Sequence, residues 1–131
     1  MARNADVRER LVDAALRVLN EGGPGELTVR RIAEAAGSST MGVYSRFGGR
    51  TGVLDALYRR GFDLLEATLA AVPEADDPRR RIVDIAIAYR EFALANPLLY
   101  ALMFERPLPD FDPEVQARQD ALATMPCGPR I

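Results

Sequence analysis

The chain has 131 residues, enough for one domain of average size, with 48% apolar and 27% charged residues and a net charge of −2. All its cations are arginine, and without His, Lys or Trp it lacks the ligands of a zinc finger and the base of a Ser-His-Asp triad. Its single cysteine, Cys127, excludes an internal disulfide and a multi-Cys metal site.

No apolar run approaches the roughly 18 residues of a membrane helix. Met1 to Arg10 is polar, with no apolar region of a signal peptide behind it. A cytoplasmic protein with no membrane partner is the expectation. Charge is uneven along the chain. Residues 1–60 hold ten Arg and seven acids, net +3, while residues 61–131 hold seven Arg and twelve acids, net −5. A basic first half leaves room for a nucleic-acid surface that the whole-chain charge hides.

In chain order, Val7, Leu11, Ala14, Ala15 and Val18 form one stripe of a first helix over about Ala5 to Asn20. Glu21-Gly22-Gly23-Pro24-Gly25 stops it. Thr28 stands where a cap belongs, before a short helix Val29 to Ala36 that turns Ile32, Ala33 and Ala36 inward. Gly37 breaks that helix. Ser38 and Ser39 then offer caps for a third, about Ser39 to Phe47, with Val43 and Phe47 inward. After Gly48-Gly49, Thr51 is the expected cap of a long helix to about Val72, with Leu54, Leu57, Tyr58, Leu65 and Leu69 on one side. Pro73 to Pro78 reads as an acidic linker.

A fifth helix, about Arg79 to Ala95, carries the stripe Ile82, Ile85, Ala86, Tyr89, Phe92 and Ala93. Asn96-Pro97 stops it, and Leu98 to Glu105 reads as a short apolar helix. Pro107 and Pro109 define a loop, and Asp112-Pro113-Glu114 opens a last helix to about Met125. No strand-like alternation competes. The fold class is all-α. The parts are a three-helix helix-turn-helix domain over residues 1–50, a linking helix over 51–72 and a partial helical regulatory domain over 73–131.

Two short helices around a Gly-containing turn, after a longer one, describe a helix-turn-helix. Its second helix must be short and must expose small or polar side chains to enter a major groove about 12 Å wide. Thr40, Met41, Tyr44 and Ser45 are not needed inside, since Val43 and Phe47 supply the inner face. Gly42 is expected to let the groove approach the backbone. Thr28, with Arg30 and Arg31 behind it, suits a phosphate, and Arg46 and Arg50 flank the third helix.

The stretch from Thr28 to Arg50, then Val53-Leu54, resembles the DNA-binding domain of the tetracycline-repressor (TetR) family. The shared features are Thr28, Ile32-Ala33, Ala36-Gly37, Ser39, Tyr44, Phe47 and Arg50 before a Leu-rich helix. The resemblance covers about Val7 to Leu69; Ser38 departs from it, where the family usually has Val, at a modest expected cost in stability. It implies a dimeric transcription regulator, usually a repressor, whose third helix reads a palindromic double-stranded DNA operator. By position, Thr28, Tyr44 and Arg50 would contact phosphates. Arg30, Ser39, Thr40 and Met41 would face bases, and Ser45 and Arg46 could do either.

Asn96-Pro97-Leu98-Leu99-Tyr100 with Met103-Phe104 is similar to part of the family's ligand domains. That implies a pocket lined by Ile85, Tyr89, Phe92, Leu99, Met103 and Phe104 for a small apolar effector. The family usually continues for several more helices, the last two forming the dimer interface. A homodimer is thus expected from the family, while a shortened C-terminal half counts against it. A helical interaction module that no longer regulates DNA is the alternative. No catalytic cluster, metal or cofactor is expected. Arg79-Arg80-Arg81 reads as a solvated helix start, and Cys127 as incidental.

Overall fold

A computed structural model describes residues 2–105, with side chains from Ala5 onward. The expected loop beyond Arg106, the seventh helix and Cys127 lie outside the described residues. Within them the chain forms six α-helices: α1 Ala2–Gly22, α2 Val29–Ala36, α3 Thr40–Phe47, α4 Arg50–Ala70, α5 Pro78–Ala95 and α6 Pro97–Phe104. No strand occurs among the described residues, and no described helix is long and apolar enough to cross a membrane.

The α2 bounds follow from its caps. Thr28 is extended, and its Oγ1 accepts a hydrogen bond from the Arg31 N–H at 3.1 Å. At the other end Gly37 is left-handed, φ +65°. The Ser38 N–H donates to Ala33 O at 2.9 Å and the Gly37 N–H to Glu34 O at 3.2 Å, a Schellman closure. Ser38 therefore occupies the position where that closure normally gains an apolar contact, which accounts for the modest cost expected there. Ser39 caps α3 from outside, its Oγ accepting from the Gly42 N–H at 3.0 Å.

The start of α4 corrects the expectation at Thr51. The helix begins at Arg50, behind Gly49, with no side-chain cap. Gly48 and Gly49 have φ of +77° and +135°, so two glycines alone reverse the chain from α3 into α4. The close approach needs a third: a Cβ on Gly52 would run into the Phe47 carbonyl.

The core is continuous from head to tail. Leu11, Val12, Ala15, Val18 and Leu19 of α1 meet Leu27, Ile32, Val43, Val53, Leu54 and Leu57. Val12 and Leu19 widen the expected α1 stripe because α1 packs on α2 at one side and on α4 and α6 at the other. Farther along α4, Phe62, Leu65 and Leu69 join Phe92, Leu99, Leu102 and Met103 in the same cluster. Gly61 lets α6 come close, since a Cβ there would lie 2.8 Å from Met103 Cγ.

Helix α5 departs most from the sequence reading. Asp77 caps it through Arg79 N–H at 3.0 Å, and Pro78 takes its first position. It packs chiefly on α4 and α6, so its covered line is narrow: Ile85, Ala88, Tyr89 and Phe92. Ile82 and Ala86, expected inside, are exposed; Ile82 is 67% accessible, and Val83, Ile87 and Leu94 also face outward.

Tyr89 and Tyr100 meet edge to face at 6.0 Å, with their hydroxyl oxygens 3.4 Å apart. Burial first, then the hydrogen bond to Tyr100 and its charge, push the Tyr89 phenol from 10.0 up to about 12. A raised phenol pKa favours the protonated, folded form, so its stabilising contribution is complete below pH 10.0 and disappears as pH rises to about 12.

Two measurements follow. Gly52→Ala should destabilise the chain by about 3 kcal/mol, the upper range for overpacking, and lower the thermal midpoint by roughly 10 °C; an unchanged midpoint contradicts the close α3–α4 approach. In thermal melts at successive alkaline pH values, wild type should lose more stability than Tyr89→Phe between pH 10.0 and about 12. Parallel curves for the two proteins contradict the raised phenol.

Candidate nucleic-acid interface

The packing of α3 decides what it can present outward. Val43 is fully buried and Phe47 partly so, which fixes the inward side. Thr40, Met41, Tyr44 and Ser45 consequently point away from the core and are exposed. Met41 is 77% accessible and Tyr44 56%, unusual for side chains of their apolar content in so small a helix.

Gly42 also has a role within the fold. A Cβ there would meet Ser38 Oγ at 2.9 Å, so its small size serves the packing of the turn against α3. Ser45 Oγ donates to Gly42 O at 3.2 Å, leaving its oxygen able to accept. The capping oxygens of Thr28 and Ser39 accept backbone N–H groups and keep their hydroxyl protons for donation outward.

The arginines differ in what holds them. Arg30 is 84% exposed at its side chain and pairs with Glu34 at 3.2 Å; Arg31 pairs with Glu26 at 3.3 Å. Such exposed pairs are weak, about 0–1 kcal/mol, and yield readily to a phosphate. Arg46 is half-buried and drawn back along α3, with Nη1 donating to Gly42 O at 3.3 Å and no hydrogen bond at Nε.

Arg50, expected to contact a phosphate, also makes main-chain contacts within the head. Its Nε donates to Leu27 O at 2.7 Å and its Nη2 to Pro24 O at 3.4 Å, tying the α1–α2 loop to the first residue of α4. It holds the head together.

Arg8 was missed by sequence reasoning. Its guanidinium lies 4.5 Å from the centre of the Phe47 ring, and Nη1 donates to the carbonyl of Arg46 at 3.3 Å. Ala5, Arg8, Ser45 and Arg46 line an open cleft of about 380 Å³ between α1 and α3. No local spacing could have revealed this, because Arg8 meets α3 only through the tertiary fold. The outcome is an exposed polar and apolar face on α3, bordered by cations that are stacked or bonded to carbonyls. Such a face suits an extended anion.

The six residues expected to line a ligand pocket do come together, but they fill space. Leu99, Met103 and Phe92 are buried in the core, while Ile85, Tyr89 and Phe104 form its rim. Phe104 packs at 5.3 Å on Phe62, 4.8 Å on Tyr100 and 6.3 Å on Tyr89. A second small cleft, about 150 Å³, lies instead between α1 and α4, by Glu9, Val12, Arg59 and Arg60.

Comparison with known proteins agrees with this architecture. The family model for bacterial regulatory proteins of the tetR family matches residues 11–57, and that for the tetracyclin repressor-like C-terminal domain matches residues 82–126. The HTH-type transcriptional regulator BetI 2 of Chromohalobacter salexigens is 37% identical over 78 residues, 57% of this chain and 38% of that protein. The tetracycline repressor protein class A from transposon 1721, of Escherichia coli, is 36% identical over 86 residues, 65% of this chain and 39% of that protein. A solved protein of unknown function from Rhodococcus sp. RHA1 superposes with a TM-score of 0.76 at 32% identity, over 90% of this chain and 61% of the other. The match thus spans about two-fifths of the length of these curated relatives and three-fifths of that structure. The relatives are named as regulators, not enzymes. A helix-turn-helix head joined by a long helix to a helical C-terminal part, and matched by models for both parts, places the chain in the tetR family of bacterial regulatory proteins.

Proposed function

We propose that this chain is a DNA-binding transcriptional regulator, a ligand-responsive repressor that reads a palindromic operator as a homodimer. The observation that carries this is the outward face of α3, Thr40, Met41, Tyr44 and Ser45, which the core does not use. In this reading α3 enters the major groove. Thr28, Tyr44, Arg46 and Arg8 meet phosphates, Ser39, Thr40 and Met41 face bases, and Arg30 exchanges Glu34 for DNA. Arg50 positions the head. Residues 1–50 form that head, 51–72 the link and 73–131 the regulatory part, and the protein works in the cytoplasm.

Two heads must stand about 34–36 Å apart to enter successive major grooves on one face of DNA. The exposed apolar side of α5, with Ile82, Val83, Ile87 and Leu94, supports association through the regulatory half. A small apolar effector would act at the rim formed by Ile85, Tyr89 and Phe104. There it would shift α6 against α4 and change head separation, with a coupling energy of about 1–3 kcal/mol.

Selecting the purified chain against random duplex DNA tests the reading. An enriched palindrome is the expected result. An enriched single half-site contradicts pairing, and no enrichment at low salt contradicts DNA binding. On the selected site, Arg8→Met keeps an unbranched side chain on Phe47 but removes the charge. It should weaken binding to all sequences alike and reduce the slope of log affinity against log salt by about 1. An unchanged slope removes Arg8 from the interface. Thr40→Ala should instead alter preference at one position of each half-site; a uniform loss counts against base readout there.

A further inference from the structure

We infer that Met41 makes this head a reader of thymine, recognising the C5-methyl group of one thymine in each half-site. The inference rests on the DNA-binding reading above and adds the chemical group that is read. The outward face of α3 is short of the side chains that distinguish bases by hydrogen bonding. It carries no Asn, Gln, Asp, Glu or Lys, and its one arginine, Arg46, is half-buried and bonded back to Gly42 O at 3.3 Å. With Arg46 assigned to a phosphate in the reading above, this face has no side chain left for a bidentate contact to guanine or adenine. Thr40 and Ser45 each offer a single hydroxyl, which reads a base edge less strictly than a bidentate pair does. Ser45 has already committed its proton to Gly42 O.

What remains is Met41, the second residue of α3, at the end of a reading helix whose side chains reach base edges. It is 77% exposed, while Val43 and Phe47 close the core without it. Tyr44 lies nearer the far end, its ring 3.6 Å from where a Cβ of Gly49 would stand. The thymine methyl is the apolar group that base edges present in the major groove. A flexible thioether side chain at the helix's leading end is suited to cover it.

The test replaces each thymine of the selected site, one at a time, with deoxyuridine, which removes the methyl and leaves base pairing unchanged. Wild-type protein should bind roughly fourfold more weakly when one particular thymine per half-site is replaced, the effect of exposing one methyl-sized group. Met41→Ala should bind the unmodified site more weakly and lose that fourfold difference, while melting at the wild-type temperature because the side chain is exposed. A flat deoxyuridine scan on a site that wild type binds tightly overturns the inference and leaves DNA binding standing. So does a sensitivity that persists unchanged in Met41→Ala. A chain that retains no duplex at all overturns the DNA reading and the inference with it.

Discussion

The guanidinium of Arg50 ties the start of α4 to the loop between α1 and α2. It is the first residue of α4, it follows the Gly48–Gly49 reversal, and it donates to the carbonyls of Leu27 and Pro24. Those carbonyls belong to the loop between α1 and α2, where Pro24 O also accepts the Leu27 N–H at 3.2 Å. A charged donor to a partly buried carbonyl contributes about 1.5–3 kcal/mol, more than a neutral bond. The position of α3 depends on this junction. With Gly52 allowing α4 against the Phe47 carbonyl and Val43 sealed beneath, α3 has little freedom to rotate, and the same four side chains always face outward.

The long helix that begins at this junction is tied to the head a second time, nearly three turns later. Arg60 bridges Asp13 and Glu9 on α1, with its own side chain mostly buried. Two residues further, Phe62 stands between Tyr58 and Phe104, and Phe104 touches Tyr100 and Tyr89. Gly61 keeps Met103 of α6 close to the α4 backbone. The packing from α5 and α6 to α1 is thus unbroken, and close-packed interiors transmit strain because they contain few voids to absorb it. A displacement of α6 must be taken up by α4 as a whole or by rearrangement of these rings.

Much of this was legible in the sequence, for reasons that differ by residue. The α2 bounds were readable because Thr28 and Gly37 act locally, each through its own backbone and that of residues within one turn. The outward face of α3 was readable by subtraction, once Val43 and Phe47 were assigned inward. The main-chain bonds of Arg50 were not legible because carbonyl acceptors leave no mark on composition; a cation that binds main chain looks the same as one that awaits phosphate. Arg8 was invisible because Phe47 lies far along the chain. Thr51 looked like a cap, but after the glycine reversal the helix starts two residues earlier than that cap implies, with Gly49 in the cap position. On α5 the periodicity was real, yet periodicity gives a stripe without saying which neighbour covers it. The helix has too few neighbours among the described residues to cover Ile82.

In the proposed reading one surface, made of α3, the capped start of α2 and Arg8, meets DNA. Amide chemical-shift mapping of isotope-labelled chain, titrated with a duplex carrying its selected site, measures this directly. The account predicts the largest changes at Arg8, at Thr28 to Arg31 and from Ser39 to Arg46, with small ones on the outer side of α5. Largest changes at Ile82, Val83, Ile87 and Leu94 with the α3 amides unmoved would contradict it.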